Sequence, residues 1–210
     1  MFRRLFDSAA PLWRAASTLG DIIVVNILLI LTVIPVVTAG AGLVATYDTA
    51  RRVQADIDDG VARTFWRSFR SNFVQATVLW LVVGVIGAGI VASWVLLPVD
   101  EASIMKTLST AVYLLIFPFV WALQARFANS VIHTLRNAVV VAVGRLPFAA
   151  GVLLIHIVVG AIVIASWLMI PQVVVLLLLL GYPFVVWASI PLIGRALEPL
   201  LPAVDEPTGA

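Results

Sequence analysis

The sequence predicts an all-α, polytopic membrane helical bundle, and three observations carry that prediction. Of the 210 residues, 62% are hydrophobic and only 11% are charged, less than half the roughly 25% charged content of a soluble domain. The mean hydropathy is +1.12. The charges cluster in short connections between long uncharged runs, as expected of helices that satisfy their backbone hydrogen bonds internally in lipid.

A helix needs about 20 apolar residues to cross the hydrocarbon core, and four runs meet that length. They are residues 76–99, 108–125 (drawing on 104–107 at its start), 146–170 and 173–193. Only Pro171 and Gln172 separate the last two. Proline disfavours helix continuation, so this pair reads as a tight turn. One kinked helix in its place would carry about twice the apolar length a bilayer holds.

Residues 1–21 precede the first apolar run. Arg3, Arg4, Asp7 and Arg14 alternate there with Phe2, Leu5, Phe6, Leu12 and Trp13, which predicts an interfacial amphipathic helix. The later stretch VTAGAGLVA offers small-residue sites resembling those of signal cleavage. The length and patterning of the region before it favour retention.

Residues 22–47 are the ambiguous element, because arginines flank them on both sides. If they cross once, the basic residues divide four against nine between the two sides of the membrane; if they enter and return, the division is twelve against one. Basic residues in short connections favour the cytoplasm, so the second topology is expected, with both termini cytoplasmic and Asp100 outside. Pro35 interrupts a helix beginning near Gly20, Thr38 suits the N-cap of a second, and Gly40 and Gly42 allow close backbone approach at the turn. The expectation is a shallow hairpin whose second arm runs through Tyr47 into DTARR. A single proline-kinked crossing is the alternative. The whole of 1–198 reads as one integral membrane domain, with 199–210 a flexible tail.

Three stretches together resemble the YesL family of bacterial membrane proteins, a domain-of-unknown-function family. The first is GDIIVVNILLILTVIPVVTAGAGLVATY, with Gly20, Asp21, Asn26, Pro35, Val36, Val37, Thr38 and Gly40. The second is TFWRSFRSNFVQATVL, with Phe65, Phe69, Arg70, Asn72, Phe73, Gln75, Ala76 and Thr77. The third is ARFANSVIHTLRNAVVVAVGRLP, with Arg126, Phe127, Asn129, Leu135, Asn137, Ala138, Leu146 and Pro147. The resemblance implies an accessory membrane component associated with binding-protein-dependent carbohydrate importers, and it brings no catalytic or ligand residues with it.

Enzymatic constellations are sparse. The chain has two histidines, His133 and His156, and no cysteine, so it cannot supply a three-histidine zinc site or a thiolate nucleophile. No phosphate-binding Walker loop or nucleophile elbow occurs. No cofactor is expected, and a net charge of +2 with pI about 9.5 suits an anionic membrane surface rather than nucleic acid.

The candidate functional residues fall into three groups. Arg63, Arg67 and Arg70 recur at helical spacing with Phe65, Trp66, Phe69 and Phe73, a basic amphipathic helix suited to lipid or to a cytoplasmic partner. Arg126, Asn129, Ser130, His133 and Asn137 share one face if residues 126–145 form a single helix that leaves the membrane and returns. Asn26 and His156 are intramembrane polar groups, functional candidates by location. Each also has a structural reading: a helix-to-helix hydrogen bond for Asn26, a bond to a backbone carbonyl or hydroxyl for His156. The expected function is a non-enzymatic accessory to a carbohydrate importer, with lipid and permease or ATPase subunits as partners. A small-solute transporter is the alternative.

Overall fold

A computed structural model of the chain describes residues 11–200 except 98 and 128. Among the described residues seven α-helices follow one another: α1 (Pro11–Val33), α2 (Ala39–Gln54), α3 (Val61–Leu96), α4 (Val99–Arg126), α5 (Val131–Gly144), α6 (Leu146–Met169) and α7 (Pro171–Leu197). A 3₁₀ turn, Glu198–Leu200, closes the described chain. Five of these helices are long and apolar enough to cross a membrane. The amphipathic helix expected over residues 1–21 is not a separate element where it is described: residues 11–21 are the first turns of α1, which thus starts before Gly20. Residues 1–10 and the tail from 201 onwards lie outside the described residues.

The chain turns back after α1. Gly42 lies against Thr32 and Leu29, and Val25 packs with Ala45. Positions rise along one arm as they fall along the other, so α1 and α2 are antiparallel and the single kinked crossing is overturned. The reversal is stitched by Val36 N–H to the Val33 carbonyl at 2.8 Å and Ala39 N–H to the Val36 carbonyl at 3.2 Å. It places Val36 at φ 57°, the left-handed region that a β-branched residue rarely occupies.

Two details of the turn differ from expectation. Thr38 has helical φ/ψ and caps nothing with its side chain; its hydroxyl instead donates back across the turn to the Thr32 carbonyl. Gly40 lies not at the bend but where α2 meets α3. A Cβ there would collide with the Ala76 carbonyl and sit 2.6 Å from Trp80 Cβ. Small residues are what let two helix backbones approach this closely.

From Ala39 to Ala50 every residue of α2 is buried. It is the central element, in contact with α1, α3, α4 and α7. Two of its polar members are satisfied locally: Thr46 Oγ1 donates to the Gly42 carbonyl at 2.9 Å, and Asp48 accepts from Arg51 at 2.7 Å and Arg52 at 3.0 Å.

The 36 residues of α3 make one rod of about 54 Å at 1.5 Å per residue. The basic amphipathic segment and the following uncharged run are therefore continuous, and the helix ends at Leu96 rather than at residue 99. The hairpin meets this rod at Ala76 and Trp80, leaving roughly 24 Å of α3 beyond Trp80. That makes the hairpin shallow.

The other long helices also pair antiparallel. Along α3 and α4, Gln124 reaches Asn72, Trp121 meets Trp80, Tyr113 reaches Val83 and Trp94 reaches Thr110. Along α6 and α7, Gly151 faces Leu192 and His156 faces Tyr182. The break between the last two helices falls at Ile170, as the proline predicts. At the α3–α4 seam Gly87 takes the Tyr113 hydroxyl at what would be 2.7 Å from its Cβ, while Ala88 beside it is exposed.

Burial is uneven along the rods. No described residue of α3 is buried after Val83, and on α6 only Ala149 and Val152 are. Apart from Lys106, burial among the described side chains of α4 begins at Pro118. The core therefore gathers at one end, where α2, α4 and α7 finish and α3 begins.

Candidate functional site

That packed end also carries the arginines. Arg51 and Arg52 lie in the last turn of α2, Arg126 in that of α4 and Arg195 in that of α7. Cations there oppose the negative pole of a helix C-terminus. The three helix ends surround a cleft of about 280 Å³ lined by Tyr47, Arg51, Gln54, Ala55, Ala122, Ala125, Arg126, Ile190, Pro191, Ile193, Gly194 and Leu197. Gln54 anchors its rim by donating to the Trp187 carbonyl at 2.8 Å.

At the start of α3, Arg63, Arg67 and Arg70 are exposed around Trp66 and form one surface with Ser71. Phe65 turns inward onto Val25 and Ala45, which fixes the opposite face outward. Arg67 donates to Asp59 at 2.6 Å. That bond and the Arg67 charge hold the Asp59 carboxyl below its ordinary range, with Arg63 and Arg52 adding smaller pulls.

The expected single helix over 126–145 does not form. α4 stops at Arg126 and α5 begins at Val131, with Ser130 as its N-cap accepting from the His133 N–H at 3.4 Å. A serine oxygen satisfies one of the four free N–H groups of a helix start, so the chain breaks where Ser130 offers that cap. Arg126 is thereby separated from the others and joins Arg51 in the cleft. His133 is exposed, while Asn129 and Asn137 are half-buried. Beneath them Gln124 links three helices: it donates to Asn72 of α3 at 3.3 Å and accepts from Thr134 of α5 at 3.2 Å.

Asn26 meets a broken helix. Gly181 interrupts α7 with φ 55° and ψ −157°, and Pro183 lacks the N–H that would bond to the Leu179 carbonyl. Asn26 Nδ2 donates to the carbonyls of both Leu178 and Leu179 at 2.9 Å. A Cβ at Gly181 would fall 2.6 Å from Asn26 Cγ, so glycine is required by space as well as by φ. Just below, the Tyr47 and Tyr182 hydroxyls are 2.9 Å apart.

His156 packs beside Tyr182, ring centroids 5.9 Å apart. Its Nδ1 lies 2.8 Å from the Val152 carbonyl, a geometry that requires the proton on Nδ1. Its Nε2 is buried with no hydrogen-bond partner among the described residues. Sequence reasoning did not single out Arg51, Gln54, Tyr47, Tyr182 or Gly181. The Gly-Tyr-Pro triplet inside an apolar run was the available signal for the break.

These features define a polytopic α-helical membrane protein with a re-entrant N-terminal hairpin. Residues 22–94 match the family described as "Protein of unknown function, DUF624". The match covers the apolar part of α1, the hairpin, and nearly all of α3. No curated protein and no solved structure matches the chain.

Proposed function

We propose that the protein is a non-enzymatic accessory component of a carbohydrate importer, contacting a permease or ATPase subunit through its arginine-bearing, cytoplasmic end. The observation that carries this reading is the continuity of α3. The segment from Val61 to the first residue of the uncharged run, Ala76, is about 22 Å long at 1.5 Å per residue. A helix whose only task was lipid anchoring would lie flat at the interface, whereas this one is the upright continuation of a span, packed through Phe65 on the base of the hairpin, and presents Arg63, Trp66 and Arg70 on its outward face. The importer as partner rests on the YesL resemblance.

The test is co-purification from native membranes in mild detergent, where bulk lipid no longer bridges proteins. The wild-type chain should retain an importer subunit, and Arg63→Glu with Arg70→Glu should lose it while inserting normally. Asn129→Ala with His133→Ala probes the second connection without removing the Ser130 cap. Absence of any importer subunit with the wild type, or its retention by the double Glu variant, contradicts the reading.

The broken α7 supports a second reading, since discontinuous helices at mid-membrane are a feature of many transporter sites. Solute flux through purified protein in liposomes, abolished by His156→Ala, would establish it.

A further inference from the structure

The cleft between the ends of α2, α4 and α7 has an arrangement that helix-end compensation does not explain. We infer that it is a binding site for a phosphorylated group, gripped between the guanidiniums of Arg51 and Arg126. The inference stands independently of the importer reading.

Arginines in a last helical turn need only project towards water to offset the carbonyl pole. Here two of them line one partly enclosed space, where like charges repel. Arg51 is committed on one side only: its Nη2 meets Asp48 at 2.7 Å, while its Nε is buried with no acceptor among the described residues. A buried donor left without a partner costs about 1–3 kcal/mol. Arg126 makes no hydrogen bond or ion pair with any described residue. Asp48 is already shared between Arg51 and Arg52 and cannot serve both open guanidinium edges.

The net field is positive. Arg51, Arg52, Arg126 and Arg195 stand in the last turns of these three helices. Against them are Asp48 and three carbonyl poles of roughly half a charge each. Glu198 follows just after α7 and is exposed. A guanidinium fork matches two oxygens of a phosphate, which suits this unfilled pair of donors. The volume of about 280 Å³ is that of roughly nine liquid waters, enough for a phosphate and a short attached stub. Ile193 and Leu197 make the inner wall apolar, so the stub can be apolar too. Two sources share that chemistry: the headgroup of an anionic lipid and a soluble phosphomonoester.

The full chain, purified in detergent, is tested with short-chain phosphatidate, with inorganic phosphate, and with short-chain phosphatidylcholine as the zwitterionic control. Native mass spectrometry counts adducts and thermal unfolding reports stabilisation. The wild type should bind phosphatidate or phosphate in preference to the control. Arg126→Gln should weaken that binding about tenfold to a hundredfold, the loss expected for charged hydrogen bonds. Ala55→Trp, at an exposed position on the rim, should block the cleft with both arginines in place. Arg136→Gln, exposed on α5, should bind like the wild type. Binding of phosphatidate without competition by inorganic phosphate assigns the lipid source, and competition assigns the soluble one. The inference is overturned if neither probe exceeds the control, or if binding survives both Arg126→Gln and Ala55→Trp.

Discussion

The two halves of this molecule are built on different principles. In the arginine-bearing half α2 is buried along most of its length, and glycines admit neighbouring backbones. Asn26, Gln124 and Asp48 each answer polar groups on other residues. In the far half, the ends of α3, α4 and α6 present large apolar side chains outward. Val95 is 75% exposed and Ile104 86%. In water such surface would drive collapse; in lipid it costs nothing, so nothing forces the far half to pack. Side-chain packing and hydrogen bonds, not hydrophobicity, therefore decide where this protein is tight.

The sharpest way to break that comparison is to place the same methyl group in both halves. Gly40→Ala drives a Cβ into Ala76 and Trp80 and should destabilise the fold by about 2–3 kcal/mol, as overpacking does. Gly89→Ala meets nothing within 4 Å and should be neutral, or stabilising by up to about 1 kcal/mol through helix propensity. Unfolding in detergent by a graded denaturant compares the two directly. Equal effects would mean that the halves are packed alike.

A smaller loss is expected from Asn26→Leu, which keeps the branched skeleton but abandons the Leu178 and Leu179 carbonyls. The cost should be about 1–2 kcal/mol, the upper range for polar contacts between membrane helices, read in the same unfolding assay. Because Gly181 and Asn26 fit one another, Gly181→Ala should be worse in the wild-type background than beside Asn26→Ala, which removes the side-chain atoms its Cβ would strike. Additive effects would argue against that fit.

At the hairpin tip the sign reverses. Val36 at φ 57° carries left-handed strain, so Val36→Gly should stabilise by about 1 kcal/mol. The smallest effect belongs to the surface pair Asp59–Arg67. The folded Asp59 carboxyl is held below its ordinary value of 3.8. Its contribution is therefore complete above that value and is lost as pH falls through the depressed one. Asp59→Asn should flatten this acid-side dependence, with a small loss of stability at neutral pH that disappears at low pH, where the wild-type carboxyl is protonated too.

Much of the architecture was legible because lipid imposes simple rules. Run length located α3, α4, α6 and α7, and the distribution of arginines favoured the hairpin over a single crossing. Pro35 and Pro171 marked reversals because a proline cannot extend the hydrogen-bond ladder. What composition could not reveal was partnership across helices. Arg126 read as part of one face with His133, since both positions suit an unbroken helix; the Ser130 cap competes locally and wins. Gly40 read as a turn glycine because its neighbour in space, Ala76, is distant in sequence. The Arg51–Arg126 cleft joins three helix ends, and no short window contains it.

The account rests most on the hairpin, which puts the start of α1 and the α2–α3 connection on the same side of the membrane. The chain has no cysteine, so single cysteines can be placed at Ser17, Asp58 and Ile104 and challenged in intact cells with an impermeant thiol reagent. Ser17→Cys and Asp58→Cys should both react only after permeabilisation, while Ile104→Cys, at the far end, should react from outside. Opposite labelling of Ser17→Cys and Asp58→Cys would contradict the hairpin and return the segment to a single crossing.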